Sequence, residues 1–176
     1  MTQIEFELLN YRSQVGKPFG GARLKGHPKG KRPFSKKHLM HLILKSSRAK
    51  GQRSFLHFKN RKMVDQLVRT LAKSSGVEIR DYVNVGNHLH ILIKSAHRGL
   101  LNRFLRSLCG LLPRKLFGCE KGAPLGFEFW DGRPFTKIIA EGLRPFKIIR
   151  AYFDKNRRQA MNSAEGFDFW EATNTS

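Results

Sequence analysis

The sequence predicts a mixed α+β domain: an antiparallel sheet, two helices on one of its faces, and a further helix at the C-terminal end. Three observations lead there. Short apolar or alternating runs mark strands near 38–45, 77–85 and 88–94, and again beyond 126. Two longer stretches repeat their apolar residues every three or four positions, as amphipathic helices do. The pieces follow the order strand, helix, strand, strand, helix, strand before a last helical run, which is the βαββαβ, ferredoxin-like plan.

The chain opens with residues 1–37, read as an arm. From position 10 to 37 it holds Arg23, Lys25, Lys29, Lys31, Arg32, Lys36 and Lys37 without an acidic residue, broken by glycines and prolines. Such a segment is expected to be flexible and basic, either tracking phosphates and ordering on nucleic acid or remaining a solvated tail. Arg23, Lys25, Lys31 and Arg32 are its candidate contacts.

His38-Leu-Met-His-Leu-Ile-Leu-Lys45 is short, apolar and bounded by serines and a glycine, as a buried strand would be. His38 and His41 fall on opposite faces of it, so only one could approach other histidines; a strand-edge or core role suits both. Asn60 then introduces Met63, Val64, Leu67, Val68, Leu71 and Ala72 at helical spacing, about four turns, and Gly76 ends them. Val77, Ile79, Val83 and Val85 alternate with Glu78, Arg80, Tyr82 and Asn84, a second strand with one apolar face, and Gly86-Asn87 turns into a third.

Leu101, Phe104, Leu105, Leu108, Leu111 and Leu112 mark the second helix, which Pro113 and Gly118 bend or end. Arg103 and Arg106 lie on its outer side, as phosphate contacts or a plain solvated face. Gly126-Phe-Glu-Phe-Trp130 and Phe135–Ile139 both read as short strands. Phe127, Phe129 and Trp130 suit core packing, or base stacking on a sheet face left free to bind. Past Gly142, Arg144 to Ala160 reads as a helix that tolerates Pro145 in its first turn, with 161–176 as a tail.

Composition narrows the function. The 176 residues carry 34 Lys+Arg against 13 Asp+Glu, a formal net charge of +21, while 40% hydrophobic and 11% aromatic residues, 14 of them Phe, are enough for a core. A polyanion is the expected partner, nucleic acid before an anionic membrane. No apolar run reaches the length of a membrane span, and Glu5 and Glu7 stand where a secretory signal would be cationic, so a cytosolic protein is expected. Cys109 and Cys119 lack a paired zinc spacing and read as buried thiols.

The chemistry gathers at two places. On a strand, His88 and His90 share one face about 6.6 Å apart, and two neutral imidazoles so placed can converge on one divalent cation. Ordinary polar residues of a half-solvated strand is the plainer alternative. On the last helix Tyr152 and Asn156 are four apart, so phenol and amide share a face, one turn apart, among Arg150, Lys155, Arg157 and Arg158.

In this order the motifs resemble the single-tyrosine HUH transposases, most closely the REP-associated tyrosine transposases. The family's Met-Pro-Asn-His-Val-His-Leu-Leu stands here as Val85-Gly-Asn-His-Leu-His-Ile-Leu92, and its Tyr-Ile-x-x-Asn-Pro as Tyr152-Phe-Asp-Lys-Asn-Arg157. Trp130-Asp-Gly-Arg-Pro-Phe135 is similar to its Trp-led segment. Gly86 and Arg157 replace the family's prolines. The likeness spans residues 38–160, which it marks as a catalytic domain.

The resemblance implies a metal-dependent transesterase, cutting and rejoining single-stranded or hairpin DNA, repetitive palindromic elements included, through a 5′-phosphotyrosine link. Tyr152 would be the nucleophile, and His88, His90 and Asn156 the ligands of Mg²⁺ or Mn²⁺. It implies a monomer or homodimer. The competing expectations are a basic DNA- or RNA-binding module of the same fold without chemistry, and a structural protein of a ribonucleoprotein particle.

Overall fold

A computed structural model of the chain describes residues 19–21, 30–119, 123 and 125–174, with side chains as far as 162. Its elements are β1 (Met40–Lys45), α1 (Phe58–Ser75), β2 (Val77–Asn84), β3 (His88–Ser95), α2 (Arg98–Phe117), β4 (Phe135–Ile138) and α3 (Leu143–Asn174). The strands form one sheet in the order β2-β3-β1-β4, and all three pairings are antiparallel. This is the ferredoxin-like arrangement that the sequence predicts.

Alternation decides what lies on each face of the sheet. Met40, Leu42 and Leu44 of β1 and Leu89, Ile91 and Ile93 of β3 point to one side, where α1 contributes Val64, Leu67, Val68 and Ala72, and α2 contributes Leu101, Phe104, Leu105, Leu108 and Leu112. Removing these chains from water is the main stabilising term of the domain. Gly76 ends α1 in the left-handed region, φ 67°, and its N–H donates to the carbonyls of Ala72 and Lys73.

The second strand departs from its expected phase. Ile79 pairs with Ile93 but Asp81 pairs with Leu92, so a bulge at Arg80 shifts the alternation by one residue. Val77, Ile79 and Tyr82 therefore face the helices, where the Tyr82 hydroxyl donates to Asp65 Oδ1 at 2.9 Å. Val83 and Val85, expected on the same side as Ile79, turn to the opposite face.

One further expectation is corrected. Gly126-Phe-Glu-Phe-Trp130 is a loop, not a strand. It plugs the end of the core: Phe129 is buried, the rings of Phe129 and Trp130 lie 6.2 and 6.1 Å from that of Phe55, and Asp131 N–H donates to Lys45 O. Of the two residues expected to bend or end α2, Gly118 ends it, and Pro113 lies inside the helix. A proline there cannot donate to the carbonyl four residues back, and that carbonyl, Cys109 O, instead accepts the Trp130 indole N–H at 2.9 Å.

The sheet's second face is not left open, as expected, but covered by α3. Ile149, Phe153, Asn156 and Ala160, spaced by four, three and four, form its buried stripe against Val83, Val85, Leu92 and Ile139. The helix continues beyond Ala160 to Asn174, through the stretch read as a tail. Part of the arm is also built into the fold. Phe19 makes an antiparallel bridge with Thr136 beside β4, and Arg32 donates to Pro134 O at 2.7 Å and to Thr136 Oγ1 while lying over the Phe19 ring. Gly20, φ 75°, sits where a Cβ would come within 2.6 Å of Pro134 O.

Candidate active site

The row His88, His90, Leu92 and Lys94 alternates onto the sheet face covered by α3. Register brings a third imidazole to it: β1 pairs Ile43 with His90 and His41 with Leu92, so His41 sits diagonal to His90 on the same face. His41 Nε2 lies 3.2 Å from His90 Nδ1, and the rings stack at 5.4 Å between centroids with 22° between planes. Both are almost wholly buried, His41 3% and His90 1% exposed.

Tyr152 enters from α3. Its ring stands edge-on to His90 at 5.1 Å and to His41 at 5.8 Å. Phe153, the next residue, packs on the same pair at 6.1 and 5.3 Å. Asn156, one turn on, is buried and donates from Nδ2 to the Tyr152 backbone carbonyl at 2.7 Å. That bond uses one of the amide's two N–H groups on its own helix and leaves the oxygen on the other side of the amide carbon.

The ring nitrogens can be assigned from their partners. Asn87 Oδ1 can only accept, so His88 Nδ1, 2.6 Å away, carries the hydrogen and leaves Nε2 as a lone pair. When His90 likewise donates from Nδ1 to His41, its Nε2 is a lone pair too. Among the described residues His90 Nε2 is buried with no hydrogen-bond partner. An orphaned imidazole nitrogen is costly unless something else binds it.

Burial keeps all three rings neutral. It pulls His41 down to about 3, helped by Lys137, and His88 to about 4, helped by Lys45. It takes His90 well below the usual range, with His41 and His88 adding to the shift. Neutral imidazole is the form that binds metal.

Among the described residues no group of three or more His, Cys, Asp or Glu converges as a metal site. Consistent with that, His41 Nε2 is already turned to His90. Of the donors expected from the sequence, His88 and His90 stand side by side with ring centroids 4.6 Å apart, and Asn156 is buried one turn beyond Tyr152.

The other candidates divide. Arg150, Lys155, Arg157 and Arg158 accompany Tyr152 on α3, but Arg157 is engaged with Asp81 and with Asp154. Arg103 and Arg106 are exposed on α2, across the sheet from the imidazoles. Lys31 is exposed, Arg32 is locked against β4, and Arg23 and Lys25 lie outside the described residues. The residue that sequence reasoning left undecided is His41: alternation allowed one of His38 and His41 onto this face, and only the β1–β3 register selects it.

The chain is similar to two solved structures. One is a REP-associated tyrosine transposase bound to a REP hairpin, 14% identical, covering 72% of this chain and 68% of that one with a TM-score of 0.47. The other is a proposed transposase from Deinococcus radiodurans R1, 16% identical, covering 73% of this chain and 98% of that one with a TM-score of 0.44. No family model matches the chain, and no curated protein does.

Proposed function

We propose that this protein is a DNA transesterase that cleaves and rejoins single-stranded or hairpin DNA through Tyr152. The observation that carries the reading is the Tyr152 ring lying 5.1 Å from that of His90, whose outer nitrogen is buried and unpartnered. A nucleophile and a ligand set from elements more than sixty residues apart in sequence need a reason to meet, and phosphoryl transfer is one.

In the step, the Tyr152 oxygen attacks the phosphorus of a phosphodiester. The bond from phosphorus to the 3′ oxygen breaks, leaving a 5′-phosphate on the tyrosine and a free 3′-hydroxyl that takes up a proton. Attack by a 3′-hydroxyl on the phosphotyrosine reverses it, so no nucleotide cofactor is consumed. His88, His90 and Asn156 would hold Mg²⁺ or Mn²⁺, which when bound supplies charge neutralisation at the phosphate.

The chain's own residues do the rest. Packing of Phe153 and Ile149 against the sheet fixes the helix, and so the phenol, against the imidazoles. A free phenol titrates near about 10, so a cation one turn along the same helix, Lys155, would favour the phenolate.

Incubation of the protein with end-labelled single-stranded DNA and Mn²⁺ tests this. A labelled band that survives denaturation and is absent with Tyr152→Phe is expected. Salt-sensitive binding without an adduct, unchanged by substitution of His88, His90 or Tyr152, would instead mark a binding module.

A further inference from the structure

The sheet face that holds the imidazoles continues past them. From His90 to Lys94 the β3 row runs about 13 Å, and alongside it the sheet and the first half of α3 enclose a cavity of about 620 Å³. Leu39 and Phe146 give this cavity an accessible apolar wall over a floor of buried Leu92, Ile149 and Phe153, while Lys37, Lys94 and Arg150 line it with positive charge. Its two carboxylates, Asp81 and Asp154, share the Arg157 guanidinium, which offsets one of their two charges, and Lys37, Lys94 and Arg150 outweigh the other. Phe146 is 45% exposed. Phe153 is a shared wall: it borders the cavity and packs on His41 and His90, beside Tyr152.

We propose that this cavity is a nucleotide subsite, holding one base against Phe146 and the apolar wall and one phosphate against Lys94 and Arg150. A bare phosphate has no use for the apolar wall, and an apolar ligand has none for the cations. A nucleotide uses both. Volumes of this order are ordinary for small-ligand sites. That the nucleotide belongs to a strand whose next phosphate reaches Tyr152 rests on the transesterase reading; the pocket itself does not.

The test uses full-length Tyr152→Phe protein in EDTA, so that neither cleavage nor metal enters the result. Thymidine 5′-monophosphate is titrated while backbone amide NMR shifts are followed, with thymidine and inorganic phosphate as separate arms. Saturable shifts centred on Leu92, Lys94, Phe146 and Arg150 are expected, with each fragment at least tenfold weaker than the nucleotide. Lys94→Glu and Phe146→Ala should each weaken it by about tenfold or more, and Lys73→Glu, an equal charge change on α1, by less than twofold. An oligothymidylate should displace the mononucleotide.

Phosphate matching the nucleotide, or Lys73→Glu matching Lys94→Glu, would reduce the effect to a diffuse counter-ion layer and overturn the subsite. Failure of the oligomer to compete would overturn its place on a strand. A saturable subsite in a protein that forms no adduct would leave the pocket standing and the transesterase reading refuted.

Discussion

Arg157 joins the tyrosine helix to β2, its guanidinium meeting Asp81 across the cavity and Asp154 on its own helix. It occupies the position after Asn156, so the Arg157–Asp81 pair clamps the turn of α3 that carries Asn156. Because both groups are partly exposed, the tie is modest. Arg157→Ala and Asp81→Ala should each lower stability by about 1 kcal/mol, and the double variant by less than their sum, in urea unfolding. Strict additivity would show that the two side chains do not act together.

His41 Nε2 lies 3.2 Å from His90 Nδ1, and in the proposed metal site it would hold that ring's orientation. Loss of such a partner usually weakens a metal by about 10- to 100-fold. Isothermal titration with Mn²⁺ should show that loss for His41→Phe, with the circular dichroism spectrum retained. Unchanged affinity would make His41 a packing residue.

The buried titratable groups set a pH window for stability. His41 and His88 titrate at about 3 and about 4 in the folded chain, below the unfolded value of 6.5. Below pH 6.5 the unfolded state therefore binds protons that the folded state refuses, and stability falls as pH drops toward 4, by on the order of 3 kcal/mol per imidazole. At the alkaline end burial pushes Cys109 up to about 12, against the opposing pull of Arg32, so stability falls again as pH rises above 9. Urea midpoints of the metal-free protein should form a plateau between about pH 7 and 9 with a decline on each side. Constant midpoints down to pH 4.5 would show that the imidazoles are hydrated.

The Trp130 indole and Pro113 form another coupled pair, through the carbonyl of Cys109. Trp130→Phe leaves that carbonyl without its donor and should cost about 1–3 kcal/mol. Pro113→Ala restores a backbone N–H four residues on, so the same tryptophan change should cost less in that background. Equal costs in both backgrounds would contradict the exchange.

How far these features could be read in advance depended on the range of the interactions that set them. The helices at 58–75 and 98–117 follow from local three-and-four spacing and glycine stops, and the sheet order from the succession of elements. The phase of β2 did not, because the bulge at Arg80 leaves no mark in the alternation. Gly126–Trp130 has strand composition, yet its aromatics fill the core from a loop, a choice made by Phe55 and Cys109 far away in sequence. The neighbourhood of Tyr152 and His90 was expected from motif order alone; that α3 covers the sheet face, and that His41 joins the pair, depends on packing and register.

The most direct measurement is tandem mass spectrometry of the protein–DNA adduct after nuclease and protease digestion, with end analysis of the released fragment. The account predicts a nucleotide 5′-phosphate on the peptide containing Tyr152 and a 3′-hydroxyl on the fragment. A modification on any other residue, or a released 3′-phosphate, would contradict it.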